Sequence, residues 1–295
     1  MLSETWQPSS DPQDYARDGC LVVPAALGPD EVAEVTARID GLVRRLEEQP
    51  DFPDRHMESP HSVRIRHAVG LEPKLLDLVD HERILDHLVR TLGPYVSLVG
   101  SEVFVRTASM AAMARFHTDG GPAMQAVRLD HRHRALQLKV QFFLTDVSEP
   151  DHGNLVVIPG SHERVPHQRD PNDVRDYWLH EANEYLERDE TPPGAVQVLA
   201  RPGDALIFPY SLWHAVAPNT GGRTRKSVIL RYGQLWHRPF DYLAPEPALL
   251  RVATERQRRM LGHLGPGAQP QWWYKAPDQA EVMGLTRRTA ASARQ

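Results

Sequence analysis

The chain has 295 residues, of which 41% are apolar and 25% are charged, and its formal net charge is -5. This length and apolar content suffice for a sizeable buried core in one domain. The negative charge argues against a nucleic acid or an anionic membrane as partner, and no stretch approaches the roughly 18 consecutive apolar residues of a spanning helix. We therefore expect a small-molecule ligand and make no prediction of oligomeric state.

The single cysteine, Cys20, excludes an internal disulfide. The N-terminal residues lack the basic and apolar regions of a secretory signal. Together these two features predict a reducing, cytoplasmic location.

The N-terminal part of the chain predicts one short strand and two helices. Apolar and β-branched residues over 18–24 predict the strand. Proline and acidic residues after Leu27 predict a helix start, and apolar residues recur up to residue 46 at the spacing of one buried stripe. A second amphipathic helix is predicted over 72–92. We expect this helical region, residues 14–92, to support a sheet.

From residue 95 onward, short β-type segments alternate with turns rich in Gly, Pro and Asp. Strands are predicted over 96–105, 136–144, 155–159, 196–200, 205–208 and 227–232. Many short strands after a helical start predict a mainly β fold with flanking helices, an antiparallel double-sheet barrel of the jelly-roll or cupin type. The chain, residues 1–295, is expected to form a single domain with a barrel core (95–233), a lid-like insert (163–194) and a C-terminal extension (234–295).

Two histidines and one aspartate form a candidate metal site. His117 and Asp119 are two residues apart, so on an extended segment they point to the same face. Chance alone gives roughly one His-x-Asp in a chain this rich in histidine, so the tripeptide is weak evidence by itself. His214 can join the pair in the mouth of a barrel. Two imidazoles and one carboxylate are the ligand set of non-haem Fe(II) oxygenases.

Further motifs occur in a characteristic order around this site. They are Asp18-Gly-Cys-Leu-Val-Val-Pro24, the helix that follows it, His117-Thr-Asp119, Gly153-Asn-Leu-Val-Val-Ile-Pro-Gly-Ser-His162, Pro202-Gly-Asp204 and His214-x4-Asn219-Thr220-x4-Arg225. The set spans about residues 14–233 and resembles the phytanoyl-CoA dioxygenase family of Fe(II)/2-oxoglutarate oxygenases. The resemblance implies a double-stranded β-helix, one Fe(II), the co-substrates 2-oxoglutarate and O2, and oxidation of an unactivated C-H bond coupled to decarboxylation.

The same resemblance implies roles for individual residues. His117, Asp119 and His214 would bind one face of an octahedral iron, and no further catalytic residue is expected. Arg225, eleven residues after His214, would hold the distal carboxylate of 2-oxoglutarate. Gln141 stands where the family often has a tryptophan beside the co-substrate, and a glutamine there can hydrogen-bond a carboxylate oxygen.

The carboxylate of Asp119 also bears on the outcome of the reaction. Related halogenases carry a small residue at this position, so that chloride can bind the iron. The aspartate here favours hydroxylation, or another reaction that begins by hydrogen abstraction, over halogenation. The expected substrate is a small molecule, such as a secondary metabolite or an acyl thioester.

Two segments are expected to line the substrate site. The loop over 120–134 carries six charged or histidine side chains between Arg128 and Arg134, although a solvated charged loop has the same composition. The insert over 163–194 contains Trp178 and Tyr185 in a helix-like stretch, as lids often do.

Two other readings of the triad remain open. One is a cupin that uses Zn or Mn for a non-oxidative reaction, and the other is a catalytically silent jelly-roll binding module. Arg225 argues against both, because neither needs a buried cation at that spacing.

Overall fold

The computed structural model describes residues 4–109, 114–121, 124, 135–164 and 179–285. The strands within these ranges are β1 Thr5–Trp6, β2 Leu21–Val23, β3 Met57–Ser59, β4 Ser62–Arg66, β5 Val96–Arg106, β6 Leu138–Phe143, β7 Leu155–Val157, β8 Val196–Val198, β9 Ala205–Pro209, β10 His214–Val216 and β11 Arg225–Gln234.

The helices in the same ranges are α1 Tyr15–Asp18, α2 Pro29–Glu47, α3 Phe52–His56, α4 Ala68–Leu71, α5 Glu82–Leu92, α6 His180–Leu186, α7 Pro247–Val252, α8 Glu255–Met260, α9 Trp272–Lys275 and α10 Gln279–Val282, with 3-10 turns at Pro73–Leu78 and Ser161–Glu163. Within the described part of the chain, no helix has the length and apolar character that crossing a bilayer requires.

The strands form two sheets that face each other. The larger sheet has the order β2-β9-β6-β11-β5-β4-β3, and the smaller has the order β1-β8-β7-β10. Apart from the parallel pair β1 and β8, the pairings within both sheets are antiparallel. A buried apolar cluster joins Phe143 and Phe208 of the larger sheet to Leu155 and Val157 of the smaller. The predicted mainly β double-sheet barrel with flanking helices is therefore confirmed.

Alternation along the strands of the larger sheet separates an outer from an inner face. On β6, Val140 and Phe142 belong to the main apolar core that includes α2 and α5. Phe143 instead belongs to the cluster between the two sheets. Because successive side chains of a strand point to opposite faces, Lys139 and Gln141 share the inner face with Phe143. The inner face of this sheet therefore carries polar side chains into the barrel.

The predicted helix over 72–92 is wrong as a continuous element. The structure has a 3-10 turn at Pro73–Leu78, a break, and then α5. The apolar residues 75, 76, 78 and 79 are all buried, as the inner face of a helix would be, but the chain is interrupted before α5. Carbonyls at the break are bonded from elsewhere, by Tyr232 Oη to Val79 O at 2.9 Å and by Gln257 Nε2 to Leu76 O at 3.1 Å.

The strand predictions were close for β2, β5, β6, β7, β8, β9 and β11. The short strands β1, β3, β4 and β10 were missed. β10 has only three residues, and its pairing with β7 (His214 with Val157) depends on the opposite strand rather than on local composition.

Residues after β11 fold back on the barrel and its helices. Gln279 Nε2 donates to Pro94 O at 2.6 Å, and Tyr95 Oη donates to Ala276 O at 3.3 Å. Arg259 forms an ion pair with Asp278 at 2.8 Å between two of the last helices. These contacts attach the C-terminal helices to the start of β5.

Candidate metal and co-substrate site

The two predicted histidine ligands lie opposite each other on adjacent extended segments. His117 N donates to His214 O at 3.0 Å, and His214 N donates to His117 O at 3.1 Å. Their ring centroids are 4.3 Å apart. Backbone pairing at one edge of the smaller sheet thus brings together two side chains that are distant in sequence.

Both imidazoles are held in the tautomer that suits metal binding. His117 Nδ1 lies 3.0 Å from Arg115 O, and His214 Nδ1 lies 2.8 Å from Leu212 O. A carbonyl oxygen only accepts, so each Nδ1 carries the hydrogen and each Nε2 keeps its lone pair. Burial lowers the pKa of His117, and burial together with the neighbouring His117 lowers the pKa of His214 well below its usual range. Both rings are therefore neutral at neutral pH.

Asp119 completes the cluster with one oxygen that lacks a hydrogen bond. Its backbone N-H donates to Tyr210 O at 2.8 Å, which fixes the residue beside the turn that follows β9. Asp119 Oδ2 lies 3.7 Å from His214 Nε2 and is buried without a hydrogen-bond partner among the described residues. One ligand atom from each of His117, Asp119 and His214 lies within 4.8 Å of the others. The structure therefore brings the three predicted ligands together around an orphaned carboxylate oxygen, as a metal site requires.

Two cations that the sequence analysis did not single out lie beside Asp119. Lys139 Nζ is 2.7 Å from Asp119 Oδ1, and Arg231 Nη2 is 3.7 Å from the same oxygen. Although burial acts to raise the pKa of Asp119, these two cations and the histidines hold it well below its ordinary value. Burial, opposed by Asp119, lowers the pKa of Lys139 to about 8. A lysine alternating with Gln141 in an otherwise apolar strand was the available sequence signal.

Arg225 lies at the start of β11, directly across from Arg106 of β5. The residue is only 4% exposed, and its Nε has no hydrogen-bond partner within the described ranges. No ion pair balances this guanidinium among the described residues, and burial together with Arg106 lowers the pKa of Arg225 to about 9. A buried cation without a counter-ion is costly, so this end of the barrel is suited to bind an anion.

Gln141 and Ser227 add unpaired polar atoms to the same inner face. Both residues are fully buried, and neither the Gln141 amide nor Ser227 Oγ has a hydrogen-bond partner in the described ranges. Gln141 pairs in register with Ile229, on the strand that carries Arg225 and Ser227. Each buried unsatisfied group costs about 1–3 kcal/mol, so these atoms fit a polar ligand between the metal cluster and Arg225.

The two predicted substrate walls are only partly described. Most of the loop over 120–134, including Arg128 and Arg134, lies outside the described residues, as does Trp178. The described part of the insert contains α6, whose Asn183 bonds both backbone polar groups of Phe116, at 2.8 Å to N and 2.9 Å to O. The insert therefore contacts the segment that carries His117.

Comparisons with known proteins agree with this geometry. The family model described as phytanoyl-CoA dioxygenase matches residues 15–227. The chain is 25% identical over 259 residues to an L-proline trans-4-hydroxylase of Streptomyces griseoviridis, covering 81% of this chain and 91% of that protein. It is also 25% identical to an ectoine dioxygenase of Nocardia farcinica, covering 80% of this chain and 82% of that protein. These relatives act on small molecules.

Solved structures show the same fold. HygX from Streptomyces hygroscopicus, crystallised with nickel and 2-oxoglutarate, matches with a TM-score of 0.59 and 19% identity, covering 82% of this chain and 92% of that one. SnoK, an alpha-ketoglutarate-dependent carbocyclase from nogalamycin biosynthesis, matches with a TM-score of 0.58 and 21% identity, covering 84% and 94%. The predicted double-stranded β-helix is confirmed by these neighbours. The chain therefore belongs to the phytanoyl-CoA dioxygenase family and is a 2-oxoglutarate-dependent non-haem iron dioxygenase.

Proposed function

We propose that His117, His214 and Asp119 Oδ2 bind the Fe(II), and that Arg225 binds the distal carboxylate of 2-oxoglutarate. The observation that carries this assignment is the pairing of two features inside one barrel: a cluster of three ligand atoms within 4.8 Å, and a buried arginine that has no counter-ion among the residues described. Two neutral imidazoles and one carboxylate leave three positions of an octahedral metal free for a chelating keto acid and O2. The donor set therefore fits iron and its co-substrate.

Gln141 and Ser227 lie where the co-substrate would extend from the metal towards Arg225. Their buried polar atoms have no partner in the described part of the chain, so a carboxylate or keto oxygen between them would satisfy groups that are otherwise costly. The guanidinium of Arg225 can hold a carboxylate through two parallel N-H bonds, which fixes the direction of the diacid as well as its position. These side chains orient the co-substrate and take no part in bond breaking.

With iron and 2-oxoglutarate bound, the site supplies O2 activation in which decarboxylation to succinate and CO2 accompanies oxidation of a substrate C-H bond. The protein's part is to hold the ligands and to keep water away. Phe116, Trp213 and Ala215, which flank the histidines in sequence, are all buried in one apolar cluster behind them. A dry wall of this kind limits side reactions of a strong oxidant.

We propose hydroxylation, or another outcome of hydrogen abstraction, as the reaction. Asp119 supports this choice because its carboxylate occupies the place that a halide would need. The substrate is a small molecule, and secondary-metabolite biosynthesis is a fitting context. A cytoplasmic location, and the lack of nucleic-acid or membrane partners, remain predictions from composition and charge.

The test is anaerobic binding of the metal and the co-substrate. Fe(II) together with 2-oxoglutarate should give a visible metal-to-ligand charge-transfer band with the wild-type protein, and Fe(II) alone should not. Arg225→Ala should need far more 2-oxoglutarate for the same band while it binds iron nearly as well. Absence of the band from wild-type protein that demonstrably holds iron would refute the keto-acid role.

A further inference from the structure

We propose that Lys139 is a positioning residue that fixes Asp119 through Oδ1 and cancels its charge, an inference that rests on the proposed function of the triad. Asp119 Oδ2 is then the single oxygen that faces the metal. Because the charges of Lys139 and Asp119 cancel, the metal site as a whole keeps the net charge of the divalent ion, which attracts an anionic co-substrate.

The two oxygens of Asp119 have different surroundings. Oδ1 lies 2.7 Å from Lys139 Nζ, whereas Oδ2 lies towards His214 Nε2 and has no hydrogen-bond partner within the described ranges. The side chains of Lys139 and Asp119 are 8% and 5% exposed, so water does not compete for this contact. A carboxylate that is held through one oxygen presents only the other to a metal, because rotation would break a buried charged contact.

Arg231, the other nearby cation, is in closer contact with a different acid. Its Nη2 lies 2.8 Å from Glu102 Oε2 and 3.7 Å from Asp119 Oδ1. Glu102 also accepts from Arg64 Nε at 2.7 Å, and Arg231 makes its direct hydrogen bonds to Glu102 rather than to Asp119. Lys139 is therefore the described cation in direct contact with Asp119 and available to neutralise it.

The positive charge of Lys139 has opposite effects on the binding of the metal and on the binding of the co-substrate. An ammonium next to the ligand repels a divalent cation and weakens metal binding. The same charge attracts an anionic chelator once the metal is in place. If the lysine acted only by holding Asp119 in place, its removal would loosen the site and weaken both binding steps, so tighter metal binding is specific to the effect of its charge.

The experiment compares Lys139→Met with wild type in two separate titrations. Ni(II) binding, measured by calorimetry without 2-oxoglutarate, should become about tenfold tighter in the variant. Binding of 2-oxoglutarate to the Ni(II)-loaded protein should become about tenfold weaker. Lys139→Arg, which keeps the charge, should stay near wild type in both measurements.

The chain offers a matched control in Lys226→Met. Lys226 also lies on the larger sheet and pairs with a carboxylate, Asp40 at 2.6 Å, which is remote from the triad. This variant should change neither titration. Should Lys139→Met fail to fold, as judged by circular dichroism, Lys139→Gln replaces it, since it removes the charge and keeps a donor.

The outcomes separate this inference from the proposed function. Weaker Ni(II) binding by the uncharged variant, or an unchanged affinity for 2-oxoglutarate, overturns the inference and leaves the triad assignment intact. The proposed function is tested independently by the charge-transfer band of the wild-type protein.

Discussion

Asn183 holds both backbone polar groups of Phe116, the residue that precedes the proposed metal ligand His117. Asn183 Oδ1 accepts from Phe116 N at 2.8 Å, and Asn183 Nδ2 donates to Phe116 O at 2.9 Å. Asn183 is 2% exposed and belongs to α6, in the insert between β7 and β8. On this side the segment thus obtains hydrogen bonds from a side chain, in addition to the one from Leu179 N to Phe116 O at 3.4 Å.

Replacing this amide should weaken the metal site. Asn183→Leu keeps the volume but leaves the buried Phe116 N-H unpaired, so we expect a loss of about 1–3 kcal/mol in the free energy of unfolding. Metal affinity should fall as well, because His117 loses its support. Chemical denaturation and metal titration measure the two effects. Arg115→Ala is the control, since the Arg115 ion pair with Glu187 joins the same two segments but is exposed. Equal losses in both variants would contradict a specific role for the amide.

Replacing the buried arginine should raise the stability of the protein and lower its affinity for 2-oxoglutarate. We expect Arg225→Met to raise the free energy of unfolding of the metal-free protein by roughly 1–3 kcal/mol, because an apolar chain replaces a buried cation for which the described residues provide no counter-ion. The variant should bind metal but lose 2-oxoglutarate affinity. Thermal unfolding and co-substrate titration are the measurements, with the exposed Arg223→Met as control. A less stable Arg225→Met would mean that the arginine mainly supports packing.

Loss of the ligand carboxylate should create an anion site. Asp119→Gly removes the partner of Lys139 and leaves a buried ammonium next to open space. Chloride or bromide should raise the melting temperature of this variant more than that of wild type at equal ionic strength, and hydroxylation should be lost. Asp119→Asn removes the same charge but fills the space, so it should show no halide effect. A similar halide response in both variants would argue against a pocket formed by the missing side chain.

The pocket for Arg225 depends on a glycine in the loop just before β7. Gly153 has a φ of +75°, and a Cβ added there would lie 3.1 Å from Arg225 Cδ. Gly153→Ala should therefore lower stability by about 1 kcal/mol or more and also raise the dissociation constant for 2-oxoglutarate. Gly222→Ala has nearly the same backbone strain, with a φ of +74°, but open space around the added methyl group. It should lower stability alone, and an equal effect of both variants on the co-substrate would exclude a steric role for Gly153.

Local sequence was sufficient to predict much of the fold and the family. Alternating apolar residues predicted most strands of the barrel, and the ordered motifs around His117, His214 and Arg225 predicted the family and the ligand set. These signals are local because strand alternation and turn chemistry act over a few residues. The continuous helix over 72–92 failed for the opposite reason: Tyr232 and Gln257, both far away in sequence, bond the carbonyls at its break.

Only the tertiary structure decided how the site is electrically balanced. Lys139 is adjacent to Asp119 because β6 pairs with β11 and β9, and Asn183 supports His117 because the insert folds against the smaller sheet. Nothing in a linear chain states which cation neutralises which carboxylate, since that depends on burial and on distances of a few ångströms between distant residues. The sequence by itself determined which side chains we propose as ligands of iron and 2-oxoglutarate. Packing determined the charge and orientation of those side chains.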